Sequence, residues 1–353
     1  MNIAVLLSGG VDSSVALRLL QAQGHTVTAF YLKIWLEDEL SFLGDCPWQE
    51  DLSYVQAVCE QAGVELKIVS FQKEYHETVI AYAIEEIKKG LTPNPDIMCN
   101  SMIKFGAFYD TFAQQYDKIA TGHYAGLTEI DGTFYLKQTP DAIKDQTYFL
   151  ARLSQAQLSK ALFPLGDLTK QEVRQLAQTF NLPNKDRKDS QGLCFLGKIK
   201  FSDFIKEHIG TRQGPLVEFE TGKVLAYHEG FWFYTIGQRK GIKLSHGPWY
   251  VVAKDPFTNT VFISKEYHDE TKQRDTFTVT ALNWFSGNMP DKKELLVKMR
   301  HGPQLYQASL TQENQQLVVR LAQRDQGIAT GQFAVFYDGQ LCLGCGVIEH
   351  VLS

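Results

Sequence analysis

The rhythm of apolar and polar positions changes along the chain, and the changes divide it. Ile3–Leu7 is an unbroken apolar run, short enough for a strand buried on both faces. Positions 12–23 then recur at helical spacing. Thr26–Leu32 alternates β-branched and aromatic residues, 49–62 is helical, and Val64–Phe71 reads as a strand. Positions 75–89 form a long amphipathic helix stopped by Gly90, a C-cap glycine. Lys118–Thr121 is a further strand running into Gly122-His123. Strand and helix alternating in this way predict an α/β domain, a parallel sheet with helices on both faces. Ligands of such a sheet sit at the carboxyl ends of its strands. Ser8-Gly9-Gly10, Leu32 and Gly122-His123 all fall at such ends.

Further on, residues 126–138 read as a hairpin turning at Asp131-Gly132. Thr169-Lys170-Gln171-Glu172 is a capping box for a helix ending near Asn181. The stretch 183–200 is polar, basic and without period, and long irregular loops of this kind are often functional. Ser202–Ile209 is a short helix closed by Gly210. From Gly214 onward short strands alternate with Gly, Pro and Asp turns, an all-β second half that splits near 270–276. Three domains are expected, 1–200, 201–273 and 274–353.

Composition narrows the class. The 353 residues are 44% hydrophobic, with no apolar run of membrane-spanning length and no leader pattern, so a cytoplasmic protein is expected. The six cysteines are too sparse for a secreted disulfide scaffold, so each needs its own reading. Net charge is −5, but residues 185–243 carry 11 Lys and Arg against 7 Asp and Glu. That basic middle could face a polyanion or be a solvated loop region.

Three stretches carry candidate chemistry. In Leu6-Leu7-Ser8-Gly9-Gly10-Val11-Asp12-Ser13-Ser14, a strand runs through glycines into a helix. Backbone N–H groups and the positive helix end then point at one spot, where an anion can approach closely. Asp12 suits the N-cap. The Gly-Lys-Ser/Thr ending of a Walker loop is missing. In Asn94-Pro95-Asp96…Cys99, the acid and the thiol share a helix face, and a thiol in the first turn would feel the positive end. Either a reactive pair or a capped helix with a half-buried cysteine fits. In the third stretch, Cys194 lies in a basic loop with Lys185, Arg187 and Lys188, which would lower its thiol pKa if they fold close; taken by itself, the stretch fits a buried, inert cysteine better.

The Ser8–Ser14 loop resembles the pyrophosphate loop of enzymes that split ATP into AMP and pyrophosphate. That loop, Asn94–Asp96 with Cys99, Gly122-His123-Tyr124, Lys144-Asp145-Gln146, the Cys194 loop and Tyr234–Gly241 follow one another as in the bacterial tRNA-specific 2-thiouridylases. The resemblance spans nearly the whole chain. It implies an adenine nucleotide α-hydrolase-like N-terminal domain, a small central domain and a C-terminal β-barrel. It further implies that the C2 oxygen of a wobble uridine is adenylated and then replaced by sulfur. On that basis Leu6, Leu7, Ser8, Gly9, Gly10, Val11, Asp12, Ser13, Leu32 and Gly122 line ATP, with Mg²⁺ expected alongside. Cys194 accepts persulfide sulfur from a cysteine desulfurase or relay protein, Cys99 attacks or resolves it, and Asp96 serves as acid or base. Asn94, Pro95 and Asp96 meet the target base. His123, Lys144, Asp145, Gln146, Arg300, His301 and Gln332 are candidate tRNA contacts.

No dedicated metal motif is visible. Cys342-Leu343-Gly344-Cys345 lacks further zinc ligands, and simple alternation places its two thiols on opposite strand faces, so it reads as structural. Cys46 and Cys59 read as bystanders. Trp232, Phe233, Tyr234 and Arg239 could stack on splayed bases, although core packing suits at least two of the aromatics better. Other pyrophosphate-loop enzymes, such as a tRNA lysidine synthetase or an amide-forming synthetase, share the ATP loop but need no cysteine pair. A nucleotide-binding regulatory module without turnover is the alternative outside enzymes.

Overall fold

The computed structural model describes residues 1–34, 48–189, 201–242, 244–266, 274–313 and 316–352. Its first half contains strands β1 (Asn2–Leu7), β2 (Thr26–Lys33), β3 (Leu66–Ser70), β4 (Lys118–Thr121), β5 (Gly126–Ile130), β6 (Thr133–Lys137) and β7 (Ala161–Leu162). Five of these form a parallel sheet in the order β3-β2-β1-β4-β7. The order reverses at β1, so the switch-point crevice lies between the carboxyl ends of β1 and β4.

The continuous apolar run of β1 follows from its two covered faces. Ile3, Val5 and Leu7 pack with Leu17 and Leu20 of helix α1 (Val11–Ala22) and Val55 and Cys59 of helix α2 (Trp48–Ala62). Ala4 and Leu6 face the opposite way, into a core containing Phe30, Phe71, Phe105 and Phe108. The helix expected at 75–89 is longer and interrupted. Gln72–Tyr75 leads through a π-helical turn, His76–Ile80, into Ala81–Lys88, and Gly90 closes it in the left-handed region at φ 84°. Helix α3 (Pro95–Met98) leads into a second π-helical stretch, Cys99–Ala107. Helix α4 (Lys170–Thr179) has the expected capping box, with Thr169 and Glu172 satisfying each other's backbone N–H groups.

After helix α5 (Phe201–Ile209) the chain is β-rich. Strands β8 (Gly214–Glu218), β9 (Val224–His228), β10 (Tyr250–Asp255) and β11 (Thr260–Ser264) form a small sheet in the order β10-β11-β8-β9. Strands β12 (Arg274–Trp284), β13 (Glu294–Lys298), β14 (Tyr306–Glu313), β15 (Gln316–Asp325), β16 (Phe333–Asp338) and β17 (Leu341–Leu352) follow. They close into a barrel because β12 pairs with both β15 and β17.

Two features join the barrel to the catalytic half. The β5–β6 hairpin turns at Asp131 and Gly132, both at positive φ, as an Asp-Gly turn should. It then extends the barrel sheet, with Leu136 opposite Cys342. The outward residues Phe333, Val335 and Tyr337 of β16 enter the same core cluster as Cys99, Tyr148 and Leu153, while Ala334 and Phe336 fill the barrel interior.

The alternation expected for Cys342 and Cys345 fails here. Between the pairs Phe336–Gly344 and Tyr337–Cys342 the register slips by one residue, and Gly344 sits at φ 144°. The bulge turns both thiols to the same buried cluster, facing Tyr337 and Val335. Burial pushes the Cys345 thiol up to about 12 and that of Cys342 well above its ordinary value.

Candidate active site

The Ser8–Gly10 turn leaves the end of β1 and starts α1 at the switch point. The helix begins one residue earlier than the sequence suggests: Gly10 is the N-cap, and Asp12 lies in the first turn. The capping role assigned to Asp12 is therefore corrected. Its carboxylate instead accepts the Tyr124 hydroxyl at 2.9 Å and pairs with Lys170 at 2.7 Å. Ser13 and Ser14 donate back to the Gly10 carbonyl at 3.1 and 3.0 Å. The Ser8 N–H donates to the Ser13 hydroxyl at 3.2 Å, so the turn is tied to the helix it precedes.

Two glycines are required by contact. Gly9 is left-handed at φ 78°, and a Cβ there would lie 2.7 Å from the Asp51 carbonyl oxygen. At Gly122, the end of β4, a Cβ would lie 2.6 Å from the Ser13 nitrogen. The α1 N-terminus, with its first N–H groups lacking intrahelical acceptors, is thus braced between two strand ends.

Cations surround it. Arg187 donates to the Gly9 carbonyl at 3.0 Å, pairs with Asp51 and lies 4.8 Å from the Tyr54 ring centre. Asn184 donates to the Gly9 carbonyl and the Ser14 hydroxyl, both at 2.9 Å. Asp189 joins Lys144 at 2.6 Å, Lys170 at 2.8 Å and Arg174. Burial opposes the charge of Asp189, but hydrogen bonds from Lys144 and Lys170 outweigh it and hold the carboxyl far below the usual range. Among the described residues, four cations (Lys144, Lys170, Arg174 and Arg187) stand with three carboxylates around this loop. An anion at the α1 N-terminus meets a positive surround.

The second part of the site is α3. Asn94 caps it, accepting from the Ile97 N–H at 3.2 Å, and Pro95 occupies the first helical position. Asp96 follows in the first turn. Cys99 comes one turn in rather than in the first turn as expected, and it is 1% exposed within the core cluster. Cys194 lies outside the described residues, as do Cys46 and most of the 183–200 loop. Of the three cations expected near Cys194, Lys185 donates to Asn181 at 2.6 Å and Arg187 is engaged at the Gly9 turn.

The candidate RNA contacts separate by environment. His123 rests 2.7 Å from the Thr121 hydroxyl; burial first, then Lys104, pushes its imidazole well below the usual value, so it is neutral near pH 7. Gln146 is tied to Tyr124 by a backbone and a side-chain hydrogen bond at 2.8 and 2.9 Å. Asp145 is corrected outright: it is 1% exposed and pairs at 2.7 Å with Lys298 of the barrel, itself 1% exposed. It is walled in where barrel and catalytic domain meet, out of reach of a macromolecule. Trp232 and Phe233 pack against the catalytic core, and Tyr234 against the central-domain core, which favours the packing reading for these aromatics.

His301 stacks on Phe149 at 4.7 Å between ring centres. Burial lowers its pKa, Lys298 adds to that, and Asp145 and Asp96 oppose it, which places the ring within the field of the α3 acid. Its neighbour Arg300 grips Asp325 at 2.9 and 2.7 Å. Arg300 lines an open cleft of about 500 Å³ with Thr92, Thr235–Gly237 and Gln332, where all three domains meet beside α3.

Sequence reasoning missed Lys170, Asn184 and Lys298. The capping box and the basic loop were visible, but their partners lie 153 to 175 residues away. No local pattern reports such pairings.

Fold and site define an α/β nucleotide-binding enzyme domain with two β-rich modules behind it. Residues 1–198 match the family model described as a tRNA methyl transferase HUP domain, 202–265 the corresponding PRC-barrel domain, and 274–348 an aminomethyltransferase beta-barrel domain. The tRNA-specific 2-thiouridylase MnmA of Parabacteroides distasonis is 45% identical, with 99% of both chains covered. A protein named tRNA-specific 2-thiouridylase MnmA 1 from Bacteroides thetaiotaomicron is 46% identical, covering 99% of this chain and 100% of the relative. The Porphyromonas gingivalis MnmA is 43% identical over 99% of each. The chain belongs to the tRNA-specific 2-thiouridylase family.

Proposed function

We propose that this chain exchanges the C2 oxygen of the wobble uridine in tRNA for sulfur, with ATP cleaved to AMP and pyrophosphate. The observation that carries the reading is the glycine turn at the β1/β4 switch point, braced by Asp51 and Gly122 and ringed by Lys170 and Arg187. The residues fit a polyphosphate: backbone N–H groups at a helix start, a glycine with no room for a side chain, and neighbouring cations. Leu6–Ser13, Leu32 and Gly122 would line ATP. Mg²⁺ is proposed to accompany it; among the described residues no group of three His, Cys, Asp or Glu side chains converges as a metal site.

In the first step the uridine C2 oxygen attacks the α-phosphorus and pyrophosphate leaves. Adenylation is needed because a carbonyl oxygen is a poor leaving group. Sulfane sulfur on Cys194, supplied by a cysteine desulfurase or relay protein, is then delivered to C2, and AMP departs with the former carbonyl oxygen. The Cys99 thiolate attacks the sulfur of Cys194 and breaks the S–S bond. The product is 2-thiouridine and a Cys99–Cys194 disulfide, which an external thiol reduces. Asp96, one turn before Cys99, would move a proton near the base, with Asn94 and Pro95 beside it in sequence. His123, Lys144, Gln146, Arg300, His301 and Gln332 are the remaining candidates for RNA contact. The cytoplasm, which holds tRNA and reduced thiols, is the proposed compartment.

The test is mass spectrometry of tRNA after incubation with ATP, Mg²⁺ and a persulfide source. One sulfur in place of oxygen on the wobble uridine is expected. Pyrophosphate release without sulfur incorporation, or full activity in Cys194→Ser, would overturn the reading and favour another ATP-pyrophosphatase reaction such as lysidine or amide formation.

A further inference from the structure

The segment after α3 is π-helical, and its winding decides which residues share a side with Cys99. In an α-helix five residues turn through about 500°, which leaves residue i+5 about 140° away from residue i. In a π-helix the hydrogen bond itself runs from i to i+5, so the fifth residue returns close to one full turn. Cys99–Ala107 is wound in this second way, and Lys104 follows Cys99 by five positions. Lys104 therefore comes back toward the Cys99 side of the helix.

The half-buried Lys104 ammonium donates to the Asn100 Oδ1 at 3.0 Å. Asn100, 2% exposed, donates in turn to the Phe149 carbonyl at 3.0 Å, and the Phe149 ring stacks on His301. The segment also lies against the β1/β4 crevice. Leu6 of β1 shares a core cluster with Cys99 and Phe105. The Phe163 ring stands edge-on to Phe105 at 5.9 Å and to His123 at 6.3 Å. His123 follows Gly122 at the end of β4, and the Lys104 charge acts on its imidazole. One ammonium thus stands between the Cys99 helix, the strand end where Gly122 would line ATP, and the His301–Phe149 stack.

We propose that Lys104 is a further catalytic residue, whose ammonium meets the α-phosphate of the nucleotide between the target base and the β1/β4 crevice. The inference rests on the thiolation reading for its kinetic arm and on nucleotide binding alone for its equilibrium arm. In adenylation the uridine O2 bonds to the α-phosphorus, the bond to pyrophosphate breaks with its electron pair, and the N3 proton passes to Asp96. Negative charge gathers on the α-phosphate oxygens, and a cation already fixed there stabilises it without reorganising. In the second step C2–S forms as C2–O breaks, and AMP leaves with the electron pair. The same ammonium then faces the charge of the leaving group.

The test uses the full-length enzyme and Lys104→Gln, whose amide can still donate to Asn100 but carries no charge. AMP and adenosine differ only by the phosphate. In isothermal titration Lys104→Gln should weaken AMP about tenfold or more and leave adenosine within about twofold, as for the loss of one charge-assisted hydrogen bond. With saturating ATP and tRNA, single-turnover pyrophosphate release should fall about 10²–10³-fold, the scale for removing one donor from a developing oxyanion. The tRNA Kd should stay within about twofold, because the interaction is made to the nucleotide. Lys104→Arg should recover part of both losses.

AMP and adenosine weakened alike, or neither weakened and the rate unchanged, would reduce Lys104 to packing and overturn the proposal. Weaker tRNA with AMP unchanged would assign the ammonium to the RNA backbone and overturn it. So would a wild type that binds AMP no more tightly than adenosine, since no cation then meets that phosphate. If wild type releases no pyrophosphate from ATP in the presence of tRNA, the thiolation reading falls, and the AMP comparison alone decides Lys104. Should Lys104→Gln not fold, Lys104→Met, of similar length and uncharged, serves in the same comparison.

Discussion

Replacing Lys298 by methionine removes one partner of an ion pair with both side chains at most 1% exposed. Asp145 would keep the Thr147 hydroxyl at 2.9 to 3.0 Å and the Gln138 amide at 3.3 Å, but no cation. The expected loss is about 3–5 kcal/mol, the cost of leaving a buried charge uncompensated. Against a total stability of about 5–15 kcal/mol that is large. The consequence is local as well, because Lys298 sits in β13 and Asp145 in the catalytic half, so the pair fastens the barrel to the core. Urea unfolding at equilibrium measures it, with the midpoint falling by the energy divided by the slope. Lys292→Met is the control. Lys292 pairs with Asp338 at a comparable 2.6 Å but with side chains 57% and 47% exposed, so its loss should be within about 1 kcal/mol. A double variant, Lys298→Met with Asp145→Asn, should recover much of the stability by removing the stranded charge. Equal, small midpoint shifts for Lys298→Met and Lys292→Met would refute the argument, since burial would then not govern the pair.

Further expectations follow from the same geometry. Gly9→Ala meets a left-handed φ and the Asp51 carbonyl, so ATP-dependent pyrophosphate release should fall by about tenfold or more while the tRNA Kd is kept, as read in a coupled phosphate assay. Burial holds the folded-state pKa of His123 well below its unfolded value of about 6.5, so the stability it permits is complete above about pH 6.5 and declines as pH falls toward the folded value. In His123→Gln the urea midpoint should be flatter between about pH 7 and 5, where the wild type declines. Cys342 and Cys345, with their thiols pushed up by burial, should resist iodoacetamide in the native enzyme at about pH 8, and Cys342→Ala should retain thiolation activity.

The local grammar of the chain was legible. The apolar run at Ile3–Leu7, the glycines after it and the capping box at Thr169–Glu172 each encode their own element, because strand burial, helix starts and caps are set within a few residues. The placement of Ser8–Gly10 and Gly122 at strand ends was likewise readable from the βα alternation. Asp12 was misjudged by two positions, since a glycine turn can cap a helix through backbone geometry without a side chain.

The joins between domains were not legible. Nothing near Asp145 announces Lys298, nothing near Asn94 announces Gln332, and the bulge at Leu343-Gly344 that aligns Cys342 with Cys345 depends on how β17 pairs with β16. The sequence alone determined a phosphate-binding α/β half, a β-rich half and the residues that carry resemblance to the thiolating enzymes. Only the tertiary structure decided which polar residues face the site and which lock the barrel to it. The reason is physical: helix, turn and strand preferences are local energies, whereas a buried ion pair or a shared cap exists only once segments hundreds of residues apart have excluded water from between them.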